Sequence, residues 1–287
     1  MERIFWNVSK GVVVAVVIFG FLFLTLPLLV FVPLSFNAEP YFTFTEGMLR
    51  LDAEAFSFRW YRAIFESEEW RLAIANSFAI GIFATIVATV LGTLAAMALN
   101  DPKLPFRRYL GAFIISPMIT PIIVVAVGVF IFYSEVGIAK LSVGSFQLGP
   151  YIGIILAHAM IGAPYVVITV SASLAGFDHT LLKAASISGA GPFTAFRRVQ
   201  LPLISPGVIT GALFAFITSF DEVVIVLFMA TGVQHQTLPR EMWSGIREQI
   251  SPTILAVATL LVTFAVLVLL TVEWLKYLSE KNRTSPA

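Results

Sequence analysis

Six long apolar stretches dominate this 287-residue sequence. Crossing about 30 Å of hydrocarbon takes roughly 20 consecutive helical residues, and a helix satisfies its backbone hydrogen bonds within its own segment, as lipid requires. The stretches that meet this length are residues 11–34, 72–98, 110–133, 151–174, 203–230 and 252–275. The sequence therefore predicts an all-α integral membrane protein in which residues 1–287 form one domain of six transmembrane helices.

The composition agrees with this fold class and narrows the range of partners. Charged residues make up 12% of the chain and the mean hydropathy is +0.91, whereas soluble domains carry about 25% charged residues. The formal net charge of +1 gives no support for a nucleic-acid partner. Because the chain has no cysteine, disulfides, cysteine zinc sites and thiol catalysis are excluded.

The distribution of Lys and Arg predicts the orientation, because basic residues accumulate on the cytoplasmic side of a membrane. With the N-terminus inside, the cytoplasmic segments hold 11 of the 18 basic residues. Four of the remaining 7 lie in the outer segment 35–71, and long segments carry the weakest orientation signal. Both termini and the segment 178–202 are therefore predicted to face the cytoplasm.

Two local features modify the simple bundle. The outer segment 35–71 mixes acidic, Arg and aromatic residues, and it is predicted to form either a solvated cap or a lid with a short amphipathic helix near Ser57–Phe65. Prolines at positions 117, 121 and 164 lie inside predicted spans and are expected to kink them, either for packing or beside a cavity.

The sequence contains no recognisable catalytic motif. It lacks the Gly-rich loop ending in Gly-Lys-Ser/Thr, so the chain cannot hold a nucleotide by that route. Its three histidines, His158, His179 and His235, are scattered over a span, a cytoplasmic segment and an outer segment, and they spell out no metal site. His158 is expected to be a packed or hydrogen-bonded helix residue. We predict a protein that is not an enzyme and holds no cofactor.

The segment 178–202 has the pattern of a docking loop. Asp178 is a predicted N-cap, and helical spacing follows it until Gly189 and Gly191-Pro192 interrupt the pattern. A second short helix is predicted from Phe193 to Val199, ending before Leu201-Pro202. Small residues give the loop a shallow exposed surface, namely Ala184, Ala185, Ser186 and Gly189. Three apolar residues are predicted to anchor it to its own bundle: Phe193, Phe196 and Val199.

This loop resembles the EAA signature of ABC importer permeases, which places Glu-Ala-Ala, three residues, Gly, nine residues and Ile-x-Leu-Pro in a cytoplasmic loop. The spacing matches throughout. The residues that the resemblance assigns to coupling with the ATPase are Lys183, Ala184, Ala185, Gly189, Val199, Leu201 and Pro202. Lys183 stands where the family usually has Glu, which puts in doubt the ion pair that this Glu makes with the ATPase subunit.

The resemblance implies a type I ABC importer permease bundle in a bacterial inner membrane. It also implies partners: two ATP-binding cassette subunits, which bind the ATP, a second permease chain, an extracytoplasmic solute-binding protein and membrane lipid. Two other functions remain open on the residues alone. One is a secondary transporter, although the Asp-Glu pair of the fifth span is not repeated in the first three spans. The other is a membrane scaffold without transport activity.

That pair, Asp221 and Glu222, marks a candidate substrate pathway. An acid near the membrane centre costs about 2.5 to 3.5 kcal/mol on insertion scales, so the pair needs a compensating partner. The partner could be a cationic substrate, a basic residue of another subunit, or serines and water. Because successive helix residues point about 100° apart, one acid is expected to face the pathway and the other a neighbour.

The segment around this pair resembles the spermidine/putrescine-type permeases. The matching residues are Ser219-Phe220-Asp221-Glu222-Val223, the run 237–243 and Ser251-Pro252. The resemblance implies polyamine import, with other small cations and amino-acid-like solutes as alternatives, since importer specificity resides mostly in the binding protein.

Overall fold

The computed structural model describes residues 2–248 and 251–284, and their helices alternate with short turns. The helices are α1 (Glu2–Leu34), α2 (Glu46–Leu49), α3 (Arg59–Glu66), α4 (Glu68–Asn100), α5 (Arg107–Ile115), α6 (Ile122–Val136), α7 (Gly149–Ala175), α8 (Thr180–Ile187), α9 (Pro192–Ala195), α10 (Leu201–Phe220), α11 (Val224–Met229), α12 (Leu238–Glu248) and α13 (Thr253–Thr284). A hairpin of β1 (Ser142–Val143) and β2 (Phe146–Gln147) precedes α7. Contacts divide the chain into one unit of residues 1–67 and 244–287 and another of residues 68–243.

Four helical segments are long and apolar enough to span a membrane, within the described part of the chain: Lys10–Leu34, Glu68–Asn100, Gly149–Ala175 and Pro192–Phe220. A fifth span is possible if the bent pair formed by Arg107–Met118 and Ile122–Val136 crosses as one unit. At the predicted sixth span, the apolar stretch Thr253–Val268 is shorter than a full crossing. The structure therefore supports four or five of the six predicted spans.

The predicted span 110–133 is not one continuous helix. It consists of α5, a 3-10 turn from Ser116 to Met118, and α6, and the two parts meet at an angle of 102°. Pro117 and Pro121 lie at this break, where proline removes a backbone donor and clashes with the preceding turn. The kink predicted at Pro117 and Pro121 is thus present, and it divides the predicted span into two helices. Pro164, in contrast, lies inside α7, which continues past it without interruption.

The predicted span 203–230 also differs from the structure, at both ends. The second loop helix does not stop before Leu201-Pro202; it continues from α9 through a π-helical turn, Phe196–Gln200, into α10. The Ser205 hydroxyl donates to the Pro202 carbonyl over 2.8 Å, which satisfies an acceptor that Pro206 cannot pair. At the other end, α10 stops at Phe220 and α11 begins at Val224, so the predicted continuous helix is wrong there.

Helices α4, α7 and α10 form the packed centre of the 68–243 unit. Small residues let their backbones approach closely, as is common between membrane helices. A Cβ added at Gly92 would lie 2.7 Å from the Cβ of Val166, and one added at Gly162 would lie 3.0 Å from the Cβ of Ala215. The spacing of these helices is therefore set by glycine contacts.

The outer segment 35–71 is folded rather than only solvated. The predicted amphipathic helix near Ser57–Phe65 is present as α3, and its Ile64 is fully buried. The indole N–H of Trp60 donates to the Asn37 carbonyl over 2.7 Å, and the Tyr61 hydroxyl lies 2.6 Å from the Ser35 hydroxyl. These bonds attach α3 to the end of α1.

Candidate functional site

The docking loop begins with a capped helix. The Asp178 carboxylate accepts from the Thr180 N–H over 2.9 Å and from the Thr180 hydroxyl over 2.7 Å. These two bonds hold the pKa of Asp178 below its usual range. Helix α8 starts at Thr180 and its N-cap residue is His179, so the prediction that Asp178 is the N-cap is wrong by one position. The bend after α8 falls at Gly189, whose φ of +83° is left-handed.

The surface of the loop is only partly as predicted. Lys183, Ala184 and Gly189 are exposed, and Ala185 is half-buried. Phe193 is 73% exposed, so the prediction that it anchors the loop is wrong. The positions that bury side chains on this side of the bend are Ala195 and Gln200, with Phe196 and Val199 partly buried.

Two large apolar side chains of the loop are more than two-thirds exposed instead. They are Phe193 and Ile187, and Ile187 is 88% exposed. Ile187 was not among the predicted loop residues, because helical spacing alone does not tell an outward-facing apolar residue from an anchoring one.

The closing residues of the motif, Val199, Leu201 and Pro202, lie where the loop becomes the span. Val199 belongs to the π-helical turn, and the other two open α10. Helical structure therefore runs without interruption from Pro192 to Phe220.

The two acids lie at the break between α10 and α11 and have different surroundings. Asp221 is exposed, whereas Glu222 is 8% exposed. The Glu222 carboxylate accepts from the N–H groups of Val224 and Ile225, each over 2.8 Å. Among the described residues, neither acid forms a salt bridge with Lys or Arg. The two neighbouring acids thus differ in exposure, and because both lie outside a helix, this difference does not follow from the helical spacing used to predict it.

His158 of α7 joins this region, a contact that sequence analysis missed. Its imidazole is buried, with Nδ1 2.8 Å from the Ser219 hydroxyl and Nε2 3.5 Å from Glu222 Oε2. Within the described residues, Nε2 has no hydrogen-bond partner. His158 and Glu222 are 64 positions apart, so no local pattern could have paired them. The one available signal was that each is ionisable and lies in an apolar stretch.

The turn after α11 is attached to α4 and α7 by polar contacts. The Asn76 amide donates to the carbonyls of Gln234 and Gln236 over 2.8 and 2.9 Å. The Tyr151 hydroxyl donates to the Gln234 carbonyl over 2.6 Å. His235 is buried in this turn, and its Nε2 donates to the Gln147 carbonyl over 3.3 Å.

The buried His235 predicts a pH dependence of stability. Burial disfavours the imidazolium and lowers the pKa of His235 below its usual value of about 6.5, although the bond to the Gln147 carbonyl partly opposes this. The unfolded chain then binds a proton more readily than the folded chain. The folded state therefore keeps its full stability above pH 6.5, where His235 is neutral in both states, and loses stability as the pH falls below about 6.5. We expect a lower unfolding midpoint temperature at pH 5.5 than at pH 7.5, with a smaller decrease in His235→Gln. Equal decreases in both proteins would contradict this prediction.

The sequence is similar to a family of known membrane proteins. Residues 88–284 match the family model described as "Binding-protein-dependent transport system inner membrane component". The similarity is thus much broader than the C-terminal third that carries the quoted motifs. The chain is 32% identical to the spermidine/putrescine transport system permease protein PotC of Haemophilus influenzae, over 85% of this chain and 88% of that protein. It is 30% identical to the putrescine transport system permease protein PotI of Escherichia coli, over 94% and 92%.

A solved structure shares the fold. A chain of a bacterial ABC transporter involved in the import of the acidic polysaccharide alginate superposes with a TM-score of 0.66. The two chains are 16% identical, and the match covers 93% of this chain and 95% of the other. At this identity the likeness concerns the fold and not the solute.

Proposed function

Because the chain belongs to the family of binding-protein-dependent transport system inner membrane components, we propose that it is a permease subunit that moves polyamines, or similar small cationic solutes, inward at the expense of ATP hydrolysed by a partner. Two relatives named for spermidine or putrescine transport support the solute class. Within the chain, the observation that supports a cationic solute is the exposed carboxylate of Asp221 at a break in an apolar span. A flexible cation supplies the opposite charge that such a site needs.

The proposed complex contains two permease chains, either identical or different, and two ATP-binding cassette subunits. A solute-binding protein delivers the solute from outside. The chain lies in a bacterial inner membrane with both termini in the cytoplasm, in agreement with the distribution of basic residues. Apolar side chains of α1 between Val12 and Val30 are largely exposed, as suits contact with lipid. ATP binds to the partner subunits and not to this chain.

The proposed mechanism uses the loop as a lever. Closure of the ATPase subunits displaces residues 178–202, and the continuous helix from Pro192 to Phe220 carries the displacement to the acids at its far end. The bundle thereby changes between inward-facing and outward-facing states, whose populations the nucleotide biases. Lys183 is exposed. The partner surface that contacts it would therefore carry an acidic residue, at a position where the partner in this family usually has a basic one.

The two acids are proposed to contribute negative charge to the pathway, with Asp221 in contact with the solute and Glu222 behind it. A hydrogen bond or contact that involves a charged group is worth about 1.5 to 3 kcal/mol. Removal of the Asp221 charge is therefore expected to lower uptake efficiency about tenfold or more. Changing Glu222 to Gln as well should lower it further.

The function is tested with the complete importer in liposomes that contain ATP. We expect uptake of labelled spermidine or putrescine that requires the binding protein and is blocked by vanadate, and lower uptake by Asp221→Asn and by Asp221→Asn with Glu222→Gln. Glu135→Gln, which removes another exposed carboxylate of the same unit, should leave uptake near the wild-type rate. Absence of polyamine uptake by the wild type would refute the solute class. Normal uptake by the double variant would remove both acids from the pathway.

A further inference from the structure

We infer that His158, Ser219 and Glu222 form a positioning cluster that fixes the break between α10 and α11 and so keeps Asp221 facing the transport pathway. This inference rests on the proposed function, because the pathway itself is part of that proposal. It assigns Glu222 a supporting role and separates it from Asp221, which contacts the solute.

After the break, the chain restarts as a helix at Val224. The first N–H groups of a helix have no partner within it. At the start of α11, Glu222 fills this need, since its two carboxylate oxygens accept from Val224 and Ile225 over 2.8 Å each. Such charge-assisted bonds are stronger than neutral ones. Glu222 thus determines where α11 begins.

On the other side of the break, α10 ends at Phe220. Ser219 is in the last turn of α10, and its hydroxyl lies 2.8 Å from His158 Nδ1. The same imidazole places Nε2 3.5 Å from Glu222 Oε2. One side chain of α7 therefore contacts residues on both sides of the break. Asp221 lies between these two contacts, at the C-cap of α10.

The cluster is both polar and buried, which distinguishes it from ordinary apolar packing. The residues are 1% (His158), 4% (Ser219) and 8% (Glu222) exposed. Burying such groups has a desolvation cost, and apolar residues of similar volume often stabilise a core as well or better. A buried polar network fixes directions that apolar contacts leave free. Here the network fixes the direction of the exposed Asp221 side chain beside it.

A conservative pair of variants at His158 tests the inference in the assembled importer. His158→Phe keeps a ring and removes both nitrogens, whereas His158→Asn keeps an amide near the position of Nδ1 and can retain the bond to Ser219. We expect His158→Phe to raise the KM for spermidine at least fivefold, with basal ATPase activity unchanged. His158→Asn should raise the KM less than His158→Phe does, because it keeps the contact with Ser219 and loses only the contact with Glu222. Thr169→Val serves as a control, because within the described part of the chain its hydroxyl bonds only to carbonyls of α7, at Tyr165 and Val166.

Thiol labelling provides a readout that does not depend on transport. The chain has no cysteine, so Asp221→Cys introduces a single thiol. Its labelling rate by a water-soluble cationic thiosulfonate is measured in the assembled importer, with and without His158→Phe. A change of at least fivefold in the double variant is expected for a positioning role.

The outcomes separate the two proposals. Labelling and KM that His158→Phe leaves unchanged in a folded protein would overturn the cluster. If wild type takes up no polyamine, the proposed function fails while the labelling result still decides the cluster. Should His158→Phe not fold, Ser219→Ala and Glu222→Gln take its place. If none of these variants folds, the cluster serves stability alone and the inference is wrong.

Discussion

Gly189→Asp should abolish most solute uptake while the chain still inserts and folds. Gly189 is exposed and has a φ of +83°, with no heavy atom within 4 Å of a Cβ placed there. A side chain thus meets no clash within the chain and costs about 1 to 2 kcal/mol of backbone strain. The larger effect lies at the proposed contact with the ATPase subunit, which would bury an unpaired carboxylate. Such a charge costs several kcal/mol, so we expect at least a tenfold loss of uptake at equal membrane abundance.

The matched control for this variant is Gly189→Asn. Asn has nearly the same shape as Asp and tolerates left-handed backbone, but it has no charge. It should retain much more uptake than Asp, and ATPase activity measured alongside should lose its dependence on the solute only in the Asp variant. Equal uptake by Gly189→Asp and wild type would refute the lever role of the loop.

Gly207→Leu is expected to destabilise the bundle strongly. A Cβ at this position would lie 2.6 Å from the Thr169 carbonyl oxygen of α7 and would also collide with the Ser173 hydroxyl. Because a carbonyl in a packed helix cannot move aside, α7 and α10 would have to separate. Overpacking of this kind costs about 3 kcal/mol. We expect a large decrease in the folded fraction in detergent, measured by thermal unfolding and by size-exclusion profile.

Gly128→Leu is the control for that change. Gly128 is an exposed glycine of the same unit, and a Cβ there has no heavy atom within 4 Å. The same side chain should therefore be tolerated, with an unfolding midpoint close to wild type. If both variants unfold at the wild-type temperature, close glycine contacts do not hold α7 against α10.

The docking loop shows how far motif and spacing can predict a site. The positions of Ala184, Ala185 and Gly189 follow from the sequence pattern, and the structure places a helix and a left-handed turn there. The anchoring role predicted for Phe193 was wrong, because Phe193 follows the bend at Gly189 and its side chain is exposed. Side-chain direction after an irregular turn is not a property of local spacing.

The broken spans have the same explanation. The length of the apolar stretches predicted single helices at residues 110–133 and 203–230. The length of a stretch does not indicate where its backbone leaves helical geometry. Prolines gave some warning of the first break. No proline marks the second, which is instead accompanied by contacts of Glu222 with α11 and of His158 with Ser219.

The sequence by itself determined the membrane location, the helical class, the docking motif and the presence of two acids in an apolar span, because each depends on residue type and short-range spacing. Only the tertiary structure decided that Asp221 is exposed, that Glu222 is buried, and that His158 lies beside Glu222. These features arise from contacts between residues about 60 positions apart, and the approach of α7 to α10 that creates them is a property of packing in three dimensions.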